Sequence, residues 1–161
     1  MPRWDFRPHG TIVDEETFGH VTELQTRQAA RLQYAISMLT IHRNGNGNVA
    51  NPADAAEQLA EVVSALIRNT DLVEVVASAA TVRVLLVGGE LEDLRGIIQR
   101  IIAEVSHYGF DEQRTLAVRI GGSCFPATAG SSRDLLVQAD TMADEARREQ
   151  DPSSTYRLRE R

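Results

Sequence analysis

The chain contains no lysine: all 17 of its basic residues are arginine. Schiff-base chemistry and a phosphate-binding loop lysine are therefore excluded. A single cysteine, Cys124, rules out an internal disulfide and any thiolate-clustered zinc site. No apolar run approaches the ~20 residues that span a bilayer, and Met1 to Gly10 lacks the apolar core of a secretory signal. These absences lead us to expect a cytoplasmic protein with no membrane insertion. Basic charge is also in deficit, with 17 basic against 23 acidic residues and a net charge of −6, which argues against bulk nucleic-acid binding. Among the four histidines no H-x-x-x-H or H-E-x-x-H spacing occurs, so no metal-ligating set is expected and no cofactor is implied.

The 161 residues, 42% of them hydrophobic, suit one domain with a single core and are too apolar for a disordered chain. Residues 1–13 read as an arm carrying Trp4 and Phe6, residues 14–149 as the domain, and residues 150–161 as a polar, frayed tail. Asp14 to Gln33 has helical periodicity. Tyr34 to His42 is a short run rich in β-formers, followed by the turn-rich Arg43-Asn44-Gly45-Asn46-Gly47-Asn48.

Asn51 as cap, Pro52 at the first helical position and Asp54 in the first turn then open a second helix. Its stripe is Leu59, Val62, Val63, Leu66 and Ile67, and its expected end lies at Arg68-Asn69-Thr70. Leu72 to Val76 and Thr81 to Val87 read as a hairpin. A third helix carries Leu91, Leu94, Ile98, Ile101 and Val105 and ends around His107 to Gly109. Thr115 to Phe125 is a strand interrupted by Gly121-Gly122, and Ser131 with Asp134 forms a capping-box-like start to the last helix. From Tyr34 the order is β-α-β-β-α-β, which describes an α+β, ferredoxin-like sheet with an extra helix at each end. Many functions use that arrangement.

Four stretches narrow the reading. Arg119-Ile120-Gly121-Gly122-Ser123-Cys124-Phe125-Pro126 resembles the S-I-G-x-A-x-x-P strand of GGDEF (diguanylate cyclase) domains. Leu135-Leu136-Val137-Gln138-Ala139-Asp140 with Ala146-Arg147 resembles that family's L-L-x-x-A-D…A-K helix. Arg68-Asn69-Thr70-Asp71-Leu72-Val73 is similar to the R-x-x-D-x-V ahead of the signature hairpin, and Gln99-Arg100-Ile101 to the E-R-I of the following helix. The resemblance spans Phe18 to Arg147 in the family's order and implies the nucleotide-cyclase palm sheet.

The catalytic signature is missing. Ala77-Ser78-Ala79-Ala80-Thr81-Val82 stands where the family has its Gly-Gly-Asp/Glu-Glu-Phe turn, and no acid occurs between Glu74 and Glu90. Thr40-Ile41-His42 stands where the family's D-x-D ends the first strand. Two-metal phosphoryl transfer needs those carboxylates, because hard Mg²⁺ is held by oxygen anions. The expectation is a protein that is not an enzyme and has no catalytic residues.

The remaining candidates are few. His9, His20 and His107 read as surface or helix-end residues, while His42 ends the first strand in the family's metal position. Cys124 reads as a buried apolar residue, and the paired glycines read as turn and packing positions. Arg147 replaces the family's phosphate-approaching lysine, and Arg157, Arg159 and Arg161 form a basic tail.

The resemblance implies that Arg68, Asp71 and Arg100 form a retained inhibitory-type site for cyclic di-GMP. Arg68 would present its planar guanidinium to guanine O6 and N7, Asp71 would accept from guanine N1–H and the amine, and Arg100 would stack on a base or neutralise phosphate. The competing reading is a last-turn arginine that complements the helix dipole, with Asp71 capping or pairing with it. Two functions follow: a cyclic di-GMP receptor whose ligand promotes homodimers, or a nucleotide-independent interaction module. The module would recruit a signalling partner such as a response regulator, a localisation factor or a second copy.

Overall fold

The computed structural model describes residues 10–44, 52–107, 117–151 and 153–161. Trp4, Phe6, His9, the Asn-Gly loop, the Asn51 cap, Gly109 and Thr115 lie outside them.

The first helix, α1 (Glu15–Leu32), starts where the Asp14 carboxylate accepts the Thr17 N–H at 2.7 Å, with Glu15 and Glu16 in the first turn. It buries two threonines, whose hydroxyls donate to the carbonyls of Phe18 and Thr22 at 2.7 Å each, so neither is left unsatisfied. The last helix, α4 (Ser132–Arg147), starts as expected, with the Ser131 side chain accepting from the Asp134 N–H at 3.1 Å. Between them lie α2 (Pro52–Ser64) and α3 (Leu91–His107).

Six strands form one sheet: β1 (Thr11–Val13), β2 (Ile36–Asn44), β3 (Leu72–Val76), β4 (Thr81–Val87), β5 (Ala117–Phe125) and β6 (Thr155–Leu158), in the order β1-β3-β4-β2-β5-β6. β2 runs antiparallel to both β4 and β5 at the centre, and the two edge strands run parallel to their neighbours. On one face Leu39, Ile41, Val84 and Ile120 meet Leu59 and Val63 of α2 and Leu94 and Ile98 of α3. On the other, Ile36, Met38, Leu85 and Phe125 meet Phe18 of α1 and Leu135 and Ala139 of α4. Period-2 alternation along each strand feeds both cores, and each fully buried Leu or Ile contributes about 1.5–3 kcal/mol. The α+β palm expected from the sequence is the fold observed.

Five expectations need correction. Residues 11–13, read as part of an arm, pair with β3 in the register Thr11↔Leu72 to Val13↔Glu74. Residues 155–158, read as a frayed tail, pair with β5. Arg119, buried on β5, holds them there: its guanidinium donates to the Thr155 hydroxyl and to the carbonyls of Glu149 and Asp151. Tyr156 and Leu158 pack on the core.

Within the interior, β2 starts at Ile36 and runs on to Asn44 rather than spanning Tyr34 to His42. α2 ends at Ser64, ahead of Arg68, because Ser64 turns to Gly10: the Gly10 N–H donates to the Ser64 carbonyl at 2.9 Å and the Ser64 hydroxyl donates back to the Gly10 carbonyl at 2.5 Å. Finally, Gly121 and Gly122 do not interrupt β5. A Cβ on Gly121 would stand 2.1 Å from the Ala143 nitrogen and 2.2 Å from the Ala139 carbonyl oxygen, so α4 lies directly on this glycine.

Candidate functional site

The topology creates two places with chemistry, at opposite ends of the β3–β4 hairpin. At its turn, a 3-10 segment Ala77–Ala79 precedes Ala80, which is left-handed at φ 48°. That conformation costs a non-glycine residue about 1–2 kcal/mol. Beside the turn, β2, β4 and α4 bring together Thr40, His42, Thr81, Arg83, Asp140 and Asp144.

Arg83 grips Asp140 with two bonds, Nε to Oδ1 at 3.0 Å and Nη2 to Oδ2 at 2.9 Å. Its Nη1 lies 3.5 Å from both oxygens of Glu74, its cross-strand partner, and Thr40 donates to Asp140 at 2.6 Å. Glu74 is buried, and burial raises its pKa against the pull of Arg83. Burial works against the Arg83 charge too, but Asp140 and Glu74 outweigh it and hold the guanidinium protonated.

His42 places Nδ1 2.7 Å from the Thr81 hydroxyl and Nε2 3.2 Å from Asp144 Oδ1, while Arg147 approaches the same Oδ1 at 3.8 Å. Burial and the Arg147 charge lower the His42 pKa, against Asp144 and Asp140. Among the described residues no three His, Cys, Asp or Glu side chains group to hold a metal. Sequence reasoning passed over the Glu74–Arg83–Asp140 ion network. Its only local signal is two charges in otherwise apolar strands.

At the hairpin's other end, a cavity of about 420 Å³ opens between the segment after α2, the end of β4 and α3; Arg68, Asp71 and Arg100 line it together with Gly88, Asp93 and Gly96. Asp71 is 3% exposed, and each carboxylate oxygen accepts one backbone N–H, from Arg68 and from Val87, both at 2.9 Å. The Asp71 N–H donates in turn to the Arg68 carbonyl at 3.0 Å. Asp71 thus staples the segment after α2 to the end of β4, and burial raises its pKa despite these bonds. The Arg68 side chain is exposed and has no ion pair or hydrogen bond among the described residues. Arg100 donates to the Leu66 carbonyl. Gly96, one turn before Arg100, leaves open space where a side chain would stand. His20 and His107 are exposed and Cys124 is buried in the core.

No family model matches the chain, and no curated protein matches it. Solved structures do. The GGDEF domain of YfiN (TpbB) from Pseudomonas aeruginosa is similar with a TM-score of 0.79 at 22% identity, covering 92% of this chain and 97% of that one. The GGDEF domain of DgcB from Caulobacter crescentus, solved in complex with c-di-GMP, gives a TM-score of 0.78 at 13% identity over 100% of this chain and 97% of that one. The diguanylate cyclase SiaD from P. aeruginosa, solved with its activator SiaC, gives 0.75 at 11% identity over 89% of this chain and 58% of that one. The chain therefore has the GGDEF-domain fold.

Proposed function

We propose that this chain is a signalling domain of GGDEF fold that makes no cyclic di-GMP and instead binds it through Arg68, Asp71 and Arg100. The observation that carries the reading is that these three residues, up to 32 positions apart, line one open cavity in which the Arg68 guanidinium, though its charge reaches Asp71, makes no hydrogen bond or ion pair among the described residues. Two of the roughly four lone-pair positions on the Asp71 carboxylate remain for a guanine edge. The likeness to DgcB, solved with c-di-GMP, supports the same ligand class. Lack of turnover is supported at the hairpin's other end. There His42 and Thr40 stand in place of acids, and Asp140 is occupied by Arg83 and Thr40.

Calorimetric titration of cyclic di-GMP into wild type, Arg68→Ala and Arg100→Ala tests the site. Micromolar or tighter binding to wild type, lost in Arg68→Ala and weakened in Arg100→Ala, supports it. No heat at about 100 μM ligand, where micromolar affinity saturates, refutes it. Ligand should also increase the dimer fraction in sedimentation. Incubation with GTP and Mg²⁺ or Mn²⁺ should yield no cyclic di-GMP, and turnover would overturn the inactive reading. The competing function, a nucleotide-independent interaction module, is favoured by the likeness to SiaD in its complex with a protein activator. Partner recovery unchanged by nucleotide and by Arg68→Ala would select it.

A further inference from the structure

The His42 imidazole is 8% exposed, and its Nε2 is buried without a hydrogen-bond partner. Its other nitrogen fixes what Nε2 can be. The Thr81 hydroxyl lies 2.9 Å from the Ala79 carbonyl and 2.7 Å from Nδ1; with its one hydrogen on the carbonyl, it accepts from His42. In that arrangement Nδ1 carries the imidazole hydrogen, and in the neutral ring Nε2 is a bare lone pair. Asp144 Oδ1 stands 3.2 Å from that lone pair and is also an acceptor. Two acceptors face each other across one proton's width.

We propose that His42 and Asp144 form a proton-operated latch between the end of β2 and the C-terminal half of α4, open with the imidazole neutral and closed when Nε2 takes a proton from solvent. The groups facing His42 among the described residues are few. From β4 come Thr81 and Arg83, the latter engaged by Asp140. From β5 comes Arg119, opposite in register and engaged with the segment after α4. From α4 come Asp140, Asp144 and Arg147. Of these, Asp144 is the acidic group within ion-pair distance of Nε2, at 3.2 Å. Burial and Arg147 hold the imidazole below its ordinary range, so the latch stands open at neutral pH and closes on acidification. Closing gives His42, Asp144 and Arg147 a net positive charge. It also makes Asp144 share its carboxylate between two cations.

The test is imidazole ¹⁵N spectroscopy of the full chain across pH, with the His42 signals assigned by their loss in His42→Gln. At pH 7.5 wild type should show Nδ1–H and an unprotonated Nε2, with a titration midpoint below that of a free imidazole. Asp144→Asn should lower the midpoint further, by at least about half a unit, because it removes the charge that favours the imidazolium. Thr81→Val, which removes the fixed acceptor, should move the hydrogen to Nε2. A wild-type ring protonated on Nε2 at pH 7.5 overturns the proposal. A midpoint unmoved by Asp144→Asn, or a tautomer unmoved by Thr81→Val, does so equally. The wild-type tautomer decides even if a variant fails to fold.

Discussion

Replacing Gly121 with alanine should destabilise this protein more than its single added methyl suggests. The new Cβ would stand 2.1 Å from the Ala143 nitrogen, 2.2 Å from the Ala139 oxygen and 2.7 Å from the Met142 carbonyl carbon. All three are helix backbone atoms, so no side chain can swing aside, and α4 must retreat bodily by more than about 1 Å in an interior packed to crystal density. Overpacking costs about 1–3 kcal/mol, and a backbone collision belongs at the top of that range. The retreat also loosens Leu135 and Ala139 against Met38 and Phe125. For a domain of this size each kcal/mol lowers Tm by about 2–4 °C, so a fall of about 6–12 °C is expected.

Gly19 is the control. It lies in α1 with nothing within 4 Å of its missing Cβ, so Gly19→Ala should gain about 0.8–1 kcal/mol from helix propensity alone. Gly122→Ala falls between, since its Cβ would meet the Leu158 Cδ2 at 2.6 Å and Leu158 can move, loosening β6. Urea unfolding of the three variants at one pH reads the order directly. Gly121→Ala within about 0.5 kcal/mol of wild type would refute the packing argument.

Three further outcomes are expected. Arg119→Met takes a donor from the Thr155 hydroxyl, which keeps its bond to the Ala146 carbonyl, and from the Glu149 and Asp151 carbonyls, and hydrogen exchange at residues 155–158 should rise before any other strand's does. Asp71→Asn turns an amide N–H toward one of two backbone donors and should cost about 1–3 kcal/mol in urea unfolding, whatever its effect on ligand. Glu74 has a folded pKa raised above its unfolded value, so its ionised form destabilises the fold above the folded pKa and that penalty disappears as pH falls. Glu74→Gln should therefore raise Tm at pH 7.5, with the difference from wild type closing as pH approaches 4; a difference that widens on acidification would show the sign to be wrong.

How far the fold was legible follows from where the information lies along the chain. The central strands and α2, α3 and α4 announce themselves through runs such as Thr81 to Val87 and stripes such as Leu94, Ile98 and Ile101, because period and partner face coincide locally. β1 is too short at three residues to show a period, and its register depends on β3, some 60 positions on. β6 has the right alternation in Tyr156 and Leu158, but it sits among Arg, Glu and Ser, and its anchor is Arg119 on another strand. At the cavity, Arg68, Asp71 and Arg100 were legible as candidates from their places in an ordered set of motifs, and the structure brings the three to one lining. The staple was not, because Val87, whose N–H the carboxylate takes, lies 16 residues away in sequence. Nor was the Arg83–Asp140 grip, which spans 57 residues.

The bond from Val87 to Asp71 makes one amide an internal witness of the cavity. Its hydrogen points at a carboxylate that also borders the empty space beside Arg68, so whatever draws on that carboxylate's charge weakens its hold on the amide. The Val87 resonance should therefore move with the electronic state of Asp71, shifting when the carboxyl is protonated and when a donor docks against it. It can do so from the last residue of a central strand. A single peak would then report on occupancy of the cavity without any label placed inside it.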